Sequence, residues 1–204
     1  CKELYAKVSL HMADGKPFEE RSIGAESLKA FAHPLRMAMY EELTRLGAAT
    51  ASQLARTLGE SSGQTSYHLR QLARHGFVED DPGHSGGRER WWRPSGFSLT
   101  DESLLHDPAT GAAVVAVIRQ AIAERATSLT AWLNAIDHGR QELAGQLTSS
   151  TLVLTNAESE QLLGELGELI QRWNAMAKSR EAPSGARRFR IHLDVFPLAV
   201  PPED

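Results

Sequence analysis

Residues 50–94 constrain the fold most tightly, because their punctuation leaves room for few arrangements. TASQLARTLG (50–59) opens on Thr50 with Gln53 three residues on, a capping box ahead of the apolar Leu54, Ala55 and Leu58. Gly59 closes that helix after only two turns. Ser61 or Ser62 then caps a second helix, which runs to His75 and is stopped by Gly76. Two short helices joined by a tight Gly-Glu-Ser turn predict a helix-turn-helix. A hairpin follows, with a strand over Phe77 to Asp80, the glycine-rich loop DPGHSGG at 81–87, and a second strand from Arg88 to Arg93 ended by Pro94.

Upstream, a helical pattern starts at Ala25 with Leu28, Phe31, Ala32 and Leu35 on one face. His33-Pro34 breaks it, since proline suits the first turn of a new helix. That next helix, Pro34 to about Leu46, is expected to bury Leu35, Met39, Leu43 and Leu46 before Gly47 closes it. Helix, helix, turn, helix and hairpin together predict a winged helix-turn-helix domain over 25–95.

The remainder completes an α+β reading: a mainly helical winged helix-turn-helix, a long dimerisation helix, and a small strand-helix-strand unit. Residues 1–11 end in His11-Met12 and read as a cloning remnant, and 12–24 as a flexible arm. The mixed polar stretch 96–110 reads as a linker, and 111–204 as a dimerisation and effector domain. Within it, Val115, Ile118, Ile122, Arg125, Leu129, Trp132 and Ile136 alternate steps of three and four, a heptad seam with one charged member in a helix expected over 111–146. Thr151 to Leu154 reads as a strand. Thr155 and Glu158 cap a helix striped by Leu162, Leu166, Leu169, Trp173 and Met176. Phe189, Ile191, Leu193 and Val195 alternate with polar residues in a final strand, able to pair in parallel with the first.

Composition sets limits. The only cysteine is Cys1, which excludes a disulfide or a thiolate metal site within one chain. No apolar run reaches membrane-span length, so no membrane partner is expected and the cytoplasm is the default location. The net charge of −4 divides unevenly: residues 24–94 carry nine Lys/Arg against eight Asp/Glu, net +1, and 95–204 carry nine against fourteen, net −5. A polyanion must therefore be met by locally placed arginines, not by overall charge.

Those arginines and their polar neighbours fall where a helix-turn-helix meets double-stranded DNA. In the second helix Thr65, Leu69 and Leu72 form the packing face, while Ser62, Gln64, Ser66, Tyr67 and Arg70 project elsewhere from the turns that enter a major groove. Gln pairs bidentately with adenine, Ser bonds several base edges, and Arg bonds guanine or phosphate. On the hairpin Arg88 and Arg90 share a parity, so both point to one side of the strand, placed to grip phosphate. Trp91 and Trp92 read as packing within the hairpin.

Residues 25–95 resemble the ArsR-type winged helix-turn-helix regulators. The likeness is carried by LKAFAHPLRMAMYEEL (28–43), TASQLARTLG (50–59), SYHLRQLARHGFVE (66–79) and GGRERWWRP (86–94). It implies transcriptional control, usually repression, by a homodimer with paired recognition helices on an inverted repeat, and an effector that alters DNA affinity. The C-terminal half resembles a companion domain of larger, actinobacterial-type members. The chain departs from the metal sensors of that family, since Ser52 to Leu58 holds no cysteine and the long helix offers only the adjacent Asp137-His138. No metal or other cofactor is expected, and the signal is a small organic effector or none; Trp132 and Trp173 read first as seam packing, and second as weak candidates to line an effector pocket.

His33 and His68 read as structural, and His192 with Asp194 make at most half a metal site. No nucleophile-base pair, phosphate-binding glycine loop or carboxylate pair stands out, so an enzyme is not expected. The rival reading is a winged-helix protein-interaction module without sequence-specific DNA binding.

Overall fold

A computed structural model describes residues 10–12, 22–84, 89–137, 145–181 and 183–198. The chain divides into two compact units, residues 1–128 and 129–204.

The first unit begins with β1 (Leu10–Met12), α1 (Ala25–Phe31) and α2 (Pro34–Leu46). Pro34 opens α2 from an extended His33, and Gly47, at φ 87°, ends it in a backbone region that other residues avoid. β2 (Ala49–Thr50) leads into α3 (Ala51–Leu58), where Thr50 and Gln53 form the expected capping box. Gly59 turns the chain at φ 70°, and Ser61 caps α4 (Ser62–Arg74) by accepting from the Gln64 amide at 3.2 Å. The hairpin strands are β3 (Val78–Asp80) and β4 (Trp91–Pro94), followed by β5 (Phe97–Leu99), α5 (Ser103–His106) and α6 (Gly111–Asp137).

Two small sheets form. In the wing the order is β2-β4-β3, all antiparallel, with Thr50 opposite Trp91 and Asp80 opposite Trp92. Sequence punctuation missed β2, because a two-residue strand directly ahead of a cap has no period to detect. The second strand is also shorter than expected: it starts at Trp91, not Arg88, and includes Pro94 at its end, a position where a missing N–H is tolerated.

The linker expected over 96–110 is instead built into the fold. β5 pairs with β1, placing Leu99 opposite Leu10 and Phe97 opposite Met12, and Phe97, Leu99 and Leu104 are buried. The boundary drawn after residue 11 therefore falls inside a paired strand, and Leu10 packs against the core. Ile23, expected in the flexible arm, is buried, and its amide donates to the Ser98 carbonyl at 3.0 Å. Strands of three residues are too short for a period-two pattern to reveal.

The core joins both sheets to the helices. Phe31 lies 4.7 Å from Phe77 and 4.9 Å from Phe97, centroid to centroid, in edge and tilted contacts that suit aromatic quadrupoles. Tyr40 packs on Phe31 and donates its hydroxyl to the Ser95 carbonyl at 2.9 Å. On α2 the buried residues are Met37, Met39, Tyr40 and Leu43, so the face is turned from the one expected: Leu35 is only half-buried and Leu46 is 41% exposed. At the start of α6, Val114 and Val117 complete the core. Gly111 is required there, because a Cβ would stand 2.5 Å from the Leu105 carbonyl oxygen.

The second unit contains the rest of α6 and α7 (Asn156–Lys178), which opens on the expected Thr155–Glu158 capping box. Two expectations fail. Residues 145–150 are not helical, so α6 as described ends at Asp137, with His138 outside the described residues. No strand occurs among the described residues 145–198, so 151–154 and 189–195 do not form the parallel pair. A strand exists only where a partner edge satisfies its backbone groups, and one chain does not bring these two segments into a ladder. The observed fold is a mainly helical α+β chain with a helix-turn-helix, wing strands, a long helix and a further helix.

Candidate nucleic-acid interface

α4 has two distinct sides. Thr65, His68, Leu69 and Leu72 are buried, and Thr65 satisfies its hydroxyl on the Ser61 carbonyl at 2.9 Å. At 100° per residue the opposite stripe runs through Gly63, Tyr67, Arg70 and Arg74, at steps of four, three and four. All four are exposed, Tyr67 by 53%. Ser62 and Gln64 are exposed at the first turn, and Ser66 is half-buried on the flank. Tyr67 and Arg70 thus lie on the outward stripe, with Gln64 and Ser66 on its two flanks, while Ser62, three residues before Thr65 and seven before Leu69, is exposed at the helix start in line with the packing side. Arg74, four residues on from Arg70, is exposed on the same stripe, a spacing that the sequence also carries.

Neither Arg70 nor Arg74 has an ion-pair partner among the described residues, and the same holds for Arg56 on α3. The exposed guanidiniums of Arg70 and Arg74 on the outward stripe of α4 are open to a phosphate.

The wing is arranged differently. Arg90 forks onto the Asp80 carboxylate, one contact being 2.8 Å, and its guanidinium lies 3.8 Å over the Trp92 ring. Arg93 pairs with Glu79 at 2.7 Å. The Arg90 guanidinium holds the Asp80 carboxyl below its usual range. Trp92 is buried at the centre of the small sheet, whereas Trp91 is half-buried under a stacked His84, at 3.9 Å between centroids. His84 also bonds the Asp81 carboxylate, so it folds back on the wing and does not project from the tip. Arg88 and Ser85 lie outside the described residues. Glu89 accepts from the Ser52 hydroxyl at 2.7 Å, tying the wing to the start of α3.

Behind the recognition face, His33 and His68 lie 4.7 Å apart, ring to ring, and the Nδ1 atom of each is buried with no hydrogen-bond partner among the described residues. Burial pushes both pKa values below the ordinary 6.5, helped by Arg36 for each and, at His68, by His33 itself. In the folded protein both rings are thus held neutral, while unfolded histidines take up protons as pH falls through about 6.5. Folding stability contributed here is fully present above that value and drains away below it. The thermal midpoint should fall on acidification from pH 7.5 to 5.5, and His68→Gln should flatten that fall. Parallel pH profiles for the two proteins would remove the pair from any role in acid sensitivity.

An effector site is less defined. A cavity lined by Leu10, Phe31, Met37, Val117 and Gln120 has a volume of about 10 Å³, room for about one water molecule. Trp132 is half-buried and Trp173 is 60% exposed, both in the second unit. No group of three His, Cys, Asp or Glu suited to a metal ion occurs among the described residues, and no described helix is long and apolar enough to cross a membrane.

Residues 31–81, from the end of α1 through β3, match a helix-turn-helix domain family. Similar solved structures include an ArsR family transcriptional regulator, 28% identical over 34% of this chain and 74% of that one, with a TM-score of 0.30. The transcriptional repressor BigR from Xylella fastidiosa is 24% identical over 35% of this chain and 68% of its own, with a TM-score of 0.31. The antimony-specific transcriptional repressor AntR is 18% identical over 50% and 78%, with a TM-score of 0.34. No curated protein matches the chain.

Proposed function

We propose that this chain is a DNA-binding transcriptional regulator of the ArsR type, a cytoplasmic repressor and not an enzyme, which acts as a homodimer on an inverted repeat. The observation that carries this reading is the two-sided α4, buried through Leu69 and Leu72 and presenting Tyr67, Arg70 and Arg74 outward in a helix-turn-helix domain. The first turns of α4 enter the major groove, where Gln64 reads adenine, Ser62 and Ser66 meet base edges, and Arg70 meets guanine or phosphate. Arg74, about one turn beyond Arg70, meets the backbone. The wing adds Arg88 and Arg90. Arg90 can exchange Asp80 for phosphate at little cost, because an ion pair this exposed is screened by water. Dimerisation runs along α6, and a small organic effector acts through residues 111–204, with Trp132 and Trp173 as its candidate contacts.

The test starts from an operator selected out of random duplex DNA. Gln64→Ala and Tyr67→Ala should each lower operator affinity by about 1–3 kcal/mol while leaving random-duplex binding nearly unchanged. Arg74→Ala should weaken both and reduce the salt slope by about one unit. Equal losses on both DNAs for Gln64→Ala would move base reading off this face.

One observation favours the rival. Arg90 and Arg93 are matched by acids of their own wing, as an interaction module that avoids nucleic acid would arrange them. Such a module shows no salt-sensitive duplex binding at all, and that result would select it.

A further inference from the structure

Among the described residues of 129–198, the apolar side chains form no buried interior. No described residue in that range is buried. Leu152, Val153, Trp173, Phe189, Ile191 and Phe196 are each 60% exposed or more. Ordering a residue costs about 1–2 kcal/mol of backbone entropy, and a unit with no interior has nothing to offset that. Yet the segment has the marks of a folded unit: a complete capping box on α7, and apolar alternation through Phe189, Ile191, Leu193 and Val195. Its core must be supplied from outside.

We infer that the supplier is a second copy of this chain, and that residues 129–198 fold as a two-chain unit in which 151–154 of one copy pairs with 189–195 of the other. The inference rests on the homodimer of the reading above and adds the residues that complete it. Three observations select a second copy. First, each chain holds one strand-like segment of each kind, and neither lies in a ladder, so two chains supply both complements at once. Such an exchange is isologous and closes on itself. Second, large apolar side chains are exposed along the whole range, from Leu133 to Leu198, surface of the kind that a stable interface removes from water over about 800 Å² on each partner. Third, α6 carries an exposed apolar stripe of its own, Val115, Ile122 and Leu133 at steps of seven and eleven, which are 37%, 59% and 59% exposed. A helix that pairs with its own copy along that stripe holds two copies of the following segments side by side.

Cross-linking tests this directly in the full chain. In a Cys1→Ser background, one differently tagged chain carries Val153→Cys and the other Leu193→Cys. The two are co-expressed and treated with a bismaleimide of about 8 Å reach, which spans both direct and diagonal cross-strand neighbours. The expected product is a covalent heterodimer containing more than half of the mixed pairs. If either variant fails to fold by circular dichroism, Leu152→Cys with Ile191→Cys replaces it. A dimer by light scattering that yields no covalent heterodimer overturns the exchange and leaves the DNA-binding dimer standing. So does a monomer-sized cross-linked product from one chain bearing both cysteines. A monomer at micromolar concentration overturns the exchange and the homodimer together.

Discussion

Val115→Glu combined with Ile122→Glu on α6 is expected to leave the winged domain folded and to lower operator affinity by roughly 100-fold or more. Both side chains are exposed in the single chain, at 37% and 59%, so their loss removes nothing from its own core. Ile118, on the same heptad seam, is a poorer choice because it packs against that core. The magnitude follows from tethering. A recognition helix covers too few base pairs alone, and joining two makes the second contact intramolecular, which is worth about 10²–10⁴ in affinity. Four glutamates facing one another across a two-fold seam would break that tether. Should the C-terminal segments still hold two chains together, the recognition helices would nonetheless lose their fixed separation. Fluorescence anisotropy on the selected operator, with circular dichroism as the folding control, reads the result. Affinity within tenfold of the parent would mean that α6 does not space the two helices. An interface built on Leu28 and Phe31 of α1 could not then be invoked, because both are buried in their own chain.

What sequence pattern could reveal follows the length and closure of each element. Helices two turns or longer with a cap at one end and glycine at the other, such as α3 and α4, declare both bounds: Thr50, Gln53, Gly59 and Ser61 all stand where expected. The packing face of α4 was equally legible, since Thr65, Leu69 and Leu72 are all buried. Interactions that close over distance were not. β1, β2 and β5 have two or three residues each, and their identity as strands comes from partners as far off as residues 10 and 99. The face of α2 was misplaced for a related reason, as Tyr40 is drawn inward by Ser95, which lies 55 residues away. On the candidate interface, types and spacing brought Gln64, Tyr67 and Arg70 onto one outward face. They could not show that Arg90 lies against Asp80, an ion pair that exists only once β3 and β4 are joined. The strand-like C-terminal segments are the opposite case. Their alternation is plain in the sequence, but a period-two pattern states only that one face wants cover, not which chain provides it.

Leu69→Ala should be strongly destabilising to the winged domain, and Leu46→Ala is its control. The two residues are alike in type, yet Leu69 is fully buried and Leu46 is 41% exposed. Truncating a buried leucine removes its transfer free energy and leaves a cavity, a combination that costs about 2–5 kcal/mol. A domain of this size has only about 5–15 kcal/mol of stability in all. For 60–100 residues each kcal/mol moves the midpoint by about 4–8 °C, so Leu69→Ala should lower it by roughly 10–30 °C. Leu46, already in water over much of its surface, should cost no more than about 0.5 kcal/mol. The consequence for DNA is specific to the buried site. Leu69 anchors the inward side of α4, whose outward side bears Tyr67 and Arg70, so the cavity loosens the helix proposed to make the base contacts. Operator affinity should therefore drop with Leu69→Ala at temperatures where much of the protein is still folded, and stay at the parent value with Leu46→Ala. Thermal unfolding followed by operator titration separates the two effects. Equal midpoints for the two variants would mean that α4 is not seated through Leu69, and the outward stripe built on that seating would have to be redrawn.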